Sequence, residues 1–151
     1  MATKQEREQA FHDVAYSEST REHVGGFYEI TRASARAFRD GLVAQGLSGK
    51  RVLEYGSGAS SQAFFLASRG ARVTGIDISP VAIEMGRRRA LDEGLADRVS
   101  YERMDAESLR FEEQSFDLVC GAGILHHLDL DRAYSEVGRV PARCPRSSTR
   151  V

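Results

Sequence analysis

The chain has 151 residues, enough for one domain with a real core and not comfortably for two. Hydrophobic residues make up 41% and charged residues 28%, while 21 Lys+Arg against 22 Asp+Glu leave a net charge of -1. This balance excludes collagen-like and disordered classes and offers no overall field for nucleic acid or an anionic membrane. Two cysteines, Cys120 and Cys144, have no metal-type spacing and make no disulfide framework, which points to a reducing, cytoplasmic compartment. The polar start of the chain carries no signal-peptide pattern, and no apolar run approaches the roughly 18 residues of a membrane helix.

Residues 6–46 read as helical, with Phe27, Ile30, Ser34, Phe38 and Leu42 at helical spacing and Gly25-Gly26 dividing the stretch in two. Leu47-Ser-Gly-Lys is a turn. Arg51-Val-Leu-Glu-Tyr is a strand running straight into Gly56-Ser-Gly, and Gln62 to Arg69 is a helix closed by Gly70. Ala71 to Asp77 is a second strand. Ser79 and Pro80 suit the cap and first position of a helix reaching about Gly94. Arg98 to Arg103 and Phe116 to Gly121 are the third and fourth strands, and Leu130 to about Val140 is a last helix. Alternating strands and helices demand a parallel sheet covered by helices, hence a doubly wound, Rossmann-like α/β fold.

Gly56 and Gly58 sit where a strand turns sharply into a helix, a place where glycine permits positive φ and close approach of a ligand. A packing turn is the plain alternative. Asp77 closes the second strand 19 residues after Gly58, where a carboxylate can accept from both hydroxyls of an adenosine ribose. Its plain alternative is an Asx-type turn before Ser79-Pro80. Glu54 discriminates by charge. Just before the glycines, a carboxylate repels the pyrophosphate of NAD but attracts the ammonium and sulfonium of S-adenosylmethionine.

From Val52 to about Leu128 the chain resembles class I S-adenosylmethionine-dependent methyltransferases, particularly the small-molecule branch. The segments carrying the resemblance are Val52-Leu-Glu-Tyr-Gly-Ser-Gly, Val73-Thr-Gly-Ile-Asp-Ile-Ser, Met104-Asp-Ala-Glu-Ser-Leu, Ser115-Phe-Asp-Leu-Val and Ile124-Leu-His-His-Leu. The resemblance implies that Glu54, Gly56 and Gly58 hold the methionine end of the cofactor, and that Asp77 binds the ribose with Ile78 against the adenine. It implies further that Asp105 accepts from the adenine amine beside Ala106, with Met104 packed on the ring. Gly121 and Ala122 would line the reacting methyl. One departure is Ser60, where the family often has a third glycine. His126 and His127 are weak candidates for a general base, since methyl transfer from a sulfonium depends mainly on proximity and alignment.

The remaining features read blandly. Arg87-Arg-Arg is a solvated helix face offset by Glu84, Asp92 and Glu93, Phe64-Phe65 is core, and Tyr16 and Tyr28 either cover the cofactor or simply pack. Residues 1–48 form an N-terminal helical cap, 49–140 the cofactor-binding core, and 141–151 an irregular tail. After Val140 the pattern expected of the resemblance gives way to a Pro- and Arg-rich tail, so a truncated or out-of-frame end is expected. The fourth strand, Phe116 to Gly121, would then be a bare edge open to self-association. The resulting expectation is a methyltransferase for a small-molecule acceptor, with no metal, no nucleic acid and no membrane partner, whose cofactor half is intact and whose catalysis is in doubt. The alternatives are a non-catalytic cofactor-binding fragment and an NAD(P)-dependent oxidoreductase.

Overall fold

The computed structural model of the chain describes residues 3, 6–10, 13, 25–58 and 61–142, the side chains of 25–32 excepted. Residues 6–10 are helical, and α1 spans Gly25–Ala44. The glycine pair therefore opens this helix at its first residue, and residues 14–24 before it lie outside the described residues. Leu42 is buried and Phe38 half-buried against the core, as their spacing requires, whereas Ser34 is exposed.

Four parallel strands follow, β1 (Arg51–Tyr55), β2 (Arg72–Asp77), β3 (Val99–Arg103) and β4 (Leu118–Gly121), in the order β3-β2-β1-β4. Helix α2 (Ala63–Ala67) joins β1 to β2, and α3 (Pro80–Asp92) joins β2 to β3. The third crossover, from β3 to β4, runs through residues 104–117 without a helix, so the strict alternation expected from sequence fails there. A 3₁₀ turn (Leu125–His127) and α4 (Leu130–Arg139) follow β4. As expected, the Ser79 hydroxyl accepts from the Ala82 amide with Pro80 next in the chain. Asp129 caps α4 in the same way, its carboxylate accepting from the Asp131 and Arg132 amides.

Four of the five β1 residues are buried, the mark of a central strand covered on both faces. Alternation along the strand divides the core. Val52 belongs to the cluster with Phe64, Leu66, Ile83 and Tyr101, while Leu53 and Tyr55 join Ile76, Met104, Phe116 and Val140 on the other face. Glu54, two residues after Val52, faces the same layer as Val52.

Arg87, Arg88 and Arg89 are all exposed, as a solvated helix face requires. Arg87 is exposed but not idle: its guanidinium donates twice to the Tyr101 carbonyl, at 3.1 and 2.8 Å, covering part of the outer edge of β3. Phe65 departs from the core reading: it is only half-buried, and the Arg69 and Arg39 guanidinium carbons lie 3.7 and 5.0 Å from its ring centre.

The outer side of the fourth strand differs from expectation as well. Phe116 lies before β4 and pairs in parallel with Pro141: its amide donates to Val140 O (3.1 Å) and its carbonyl accepts from the Ala142 amide (2.6 Å). The chain after α4 thus returns beside β4, so the edge is covered at its beginning. Leu118 to Gly121 have no further strand partner on that side among the described residues.

Candidate functional site

The sheet order reverses between β1 and β4, since the chain winds outward from β1 to β3 and then returns to β1's other side. In open parallel sheets such a switch point leaves a crevice at the carboxyl ends of the strands. Glu54, Gly56 and Gly58 lie at or just beyond the end of β1, Asp77 ends β2, Met104 and Asp105 follow β3, and Gly121 ends β4.

Glu54 is buried, and its oxygens have separate donors. The Ser61 hydroxyl donates to Oε2 at 2.5 Å and the Gln62 amide donates to Oε1 at 2.6 Å. Burial pushes the carboxyl above its ordinary range, these donors partly offset the shift, and the Asp77 charge adds to it. No basic side chain bonds to Glu54 among the described residues. In the register of β1 and β4, Glu54 lies opposite Cys120, whose buried thiol is pushed up to about 12 and stays protonated.

Asp77 is also buried. Its Oδ2 accepts from the Gly58 amide and its Oδ1 from the Ser79 amide, both at 2.9 Å. The Asx-type turn weighed from sequence is therefore present, and it shares the carboxylate with the glycine turn. Each oxygen keeps a further lone pair, so ribose recognition and turn formation are compatible. Gly56 and Gly58 have φ of +58° and +47°. A Cβ on Gly56 would lie 2.3 Å from Ile124 Cδ1, so Ile124 packs directly over the turn.

The second strand communicates with the third through the Asp77 carbonyl, which accepts from the Met104 amide at 3.0 Å. Met104 and Ala106 are buried and Ile78 is half-buried. Asp105, also half-buried, folds its Oδ1 onto the Glu107 amide at 2.8 Å. Gly121 pairs with Tyr55, and a Cβ on it would lie 3.0 Å from both Tyr55 Cβ and Tyr55 O; Gly121 and Ala122 are exposed.

The two histidines lie in the 3₁₀ turn that follows β4. His126 is exposed, and its ring centre lies 3.9 Å from that of His127. The Nδ1 of His127 lies 3.0 Å from Oε2 of Glu8. Two further contacts bring the same N-terminal stretch to the carboxyl ends of the strands: Arg103 donates to Gln9 Oε1 at 2.6 Å, and the Ser79 hydroxyl donates to Asp13. Tyr16, Ser60 and the side chain of Tyr28 lie outside the described residues.

Sequence reasoning missed Ser61, Gln62, Ile124 as a covering residue, and Tyr101. Ser61 and Gln62 had a usable signal, since a glycine turn after a strand-ending acid places the next helix's first donors near that acid. Tyr101 had none, because its approach depends on tertiary packing. Among the described residues no helix is long and apolar enough to cross a membrane, and no group of His, Cys, Asp and Glu could hold a metal ion.

The sequence pattern of the family described as "Methyltransferase domain" matches residues 52–142, which include the turn at Gly56, the Asp77 corner and the pairing at Pro141. The ubiquinone biosynthesis O-methyltransferase of Methylocella silvestris is 40% identical over 90 residues, 60% of this chain and 34% of that protein. The ubiquinone/menaquinone biosynthesis C-methyltransferase UbiE of Xylella fastidiosa is 37% identical over 116 residues, 74% of this chain and 45% of that protein. The chain thus spans less than half the length of these curated relatives. In fold it is similar to the geranyl diphosphate C-methyltransferase of Streptomyces coelicolor A3(2), solved with S-adenosyl-L-homocysteine, at a TM-score of 0.75 and 17% identity over 93% of this chain and 61% of that one. With the strand order, the glycine turn and the family pattern over residues 52–142 in agreement, this chain belongs to the methyltransferase-domain family.

Proposed function

We propose that residues 49–140 form the S-adenosylmethionine-binding core of a methyltransferase for a small-molecule acceptor. The observation that carries this reading is the buried Glu54 carboxylate at the crevice, held by a hydroxyl and an amide and bonded to no cationic side chain among the described residues. A buried carboxylate of this kind favours a cationic ligand and penalises a pyrophosphate. S-adenosylmethionine, when bound, supplies a methyl group on a positively charged sulfur.

The chain's own residues bind and align. Glu54, with the turn at Gly56 and Gly58, holds the amino-acid end, and Asp77 accepts from the ribose hydroxyls beside Ile78. Met104, Asp105 and Ala106 hold the adenine, while Gly121 and Ala122 leave room beside the reacting group. The stretch carrying Glu8, Gln9 and Asp13 belongs to a cap, residues 1–48, that limits access of water to these strand ends. His127, oriented by Glu8, is the better placed of the two histidines to take a proton from an acceptor, a minor contribution beside alignment. Because the match spans less than half of each of these relatives, cofactor binding is the first part of this reading and turnover on an acceptor the second.

Calorimetric titration with S-adenosylhomocysteine and, separately, NADH tests it. Saturable binding of the former, absence of the latter, and weakening by Glu54→Gln are expected. Binding of NADH alone would favour an oxidoreductase. Stabilisation by S-adenosylhomocysteine with no methyl transfer to any acceptor would favour a non-catalytic binding fragment.

A further inference from the structure

Tyr101 lies on β3, two strands away from Glu54, yet it reaches the same group of donors. Its ring is held between two glycines. A Cβ on Gly75 of β2 would lie 2.7 Å from Tyr101 Cε1, and a Cβ on Gly86 of α3 would lie 2.8 Å from both Cε1 and Cζ. Any larger residue at either position would displace the ring. Through this slot the Tyr101 hydroxyl comes within 3.0 Å of Ser61 Oγ.

The direction of each hydrogen bond follows from chemistry. An ionised carboxylate only accepts, so Ser61 must spend its single hydrogen on Glu54 Oε2. Its oxygen is then left to accept, and it does so from the Tyr101 hydroxyl and from the Ala63 amide at 3.0 Å. Burial and the nearby Glu54 charge raise the phenol to about 12, so it keeps its proton. A hydroxyl that accepts from a donor is itself a stronger donor.

We propose that Tyr101 is a positioning residue, acting through Ser61 to fix the Glu54 carboxylate in its ionised form for the cofactor's cationic end. This rests on the cofactor-binding reading above and adds the residue that sets the charge and orientation of its key acid. Other groups also bear on the titration. Asp77 on β2 opposes ionisation of Glu54, Cys120 on β4 lies opposite it, and Arg89 of α3 and Glu93 just after α3 act on the phenol with opposing signs.

Tyr101→Phe keeps the ring in its slot and removes only the hydroxyl. Two measurements follow the consequence in the 151-residue chain. The first is titration of the Glu54 carboxyl by side-chain carbon-13 NMR without ligand, with Glu54→Gln assigning the signal. The second is affinity for S-adenosylhomocysteine across pH. Tyr101→Phe should move the carboxyl titration to higher pH, weaken binding about three- to tenfold at neutral pH, and shift the acid limb of binding upward. Ser61→Ala should do the same more strongly, and adding Tyr101→Phe to it should change little further. An unshifted carboxyl in Tyr101→Phe, or an equal effect of the phenylalanine in the Ser61→Ala background, overturns the relay. If the wild-type chain binds no S-adenosylhomocysteine, or Glu54→Gln binds it equally well, the cofactor reading fails instead, and the carboxyl titration still decides the relay.

Discussion

Asp77 Oδ2 accepts from the Gly58 amide at 2.9 Å, so the acid that ends the second strand also fixes the glycine turn that follows the first. Its other oxygen serves Ser79, the cap of α3. Removing the carboxylate leaves two amides without their acceptors. Asp77→Ala should therefore destabilise the free chain by about 1–3 kcal/mol, read as a lower denaturation midpoint at unchanged slope. Weaker cofactor binding by this variant is interpretable only with that loss measured alongside.

Gly56 combines a φ of +58° with a neighbour that blocks any side chain. Gly56→Ala should cost about 1–3 kcal/mol in thermal or chemical unfolding, from left-handed strain and from displacement of Ile124. Reducing Ile124 to alanine in the same chain should recover the steric part and leave the backbone part. A Gly56→Ala chain of wild-type stability would mean that Ile124 does not cover the turn.

The buried Glu54 gives a pH dependence whose sign is fixed. Burial raises its folded-state pKa above the unfolded value. Its contribution to stability is complete when the carboxyl is protonated in both states and is lost as pH rises through the raised folded value. Glu54→Gln should therefore melt higher than wild type at neutral pH without cofactor, and the difference should shrink as pH falls through the carboxylate range. The same change should weaken S-adenosylhomocysteine binding, separating stability from function.

Two buried tyrosines offer a contrast. Tyr55 OH is buried with no hydrogen-bond partner among the described residues, and burial pushes its ionisation upward. Tyr55→Phe removes an unsatisfied hydroxyl and should be neutral or stabilising by up to about 1 kcal/mol in denaturant unfolding. Tyr101→Phe removes a satisfied hydroxyl and should destabilise by about 1 kcal/mol. The opposite order would show that the hydroxyl pairing has been misplaced.

Local chemistry made much of this protein legible in the chain. The change of period after residue 50 gave the strands, Ser79-Pro80 gave the start of α3, and the acid-glycine order of Glu54, Gly56 and Gly58 gave the kind of ligand. Each of these depends on neighbours within a few residues, where backbone sterics and side-chain charge act directly. What lay beyond reach was the relation between distant segments. The Phe116–Pro141 pairing that begins to cover β4, the seat of Ile124 on Gly56, and the passage of Tyr101 between Gly75 and Gly86 to Ser61 all require the sheet to be assembled first. Sequence alone determined which groups stand at the strand ends; only the tertiary structure decided which of them share a hydrogen bond, because those contacts join residues that the chain itself keeps far apart.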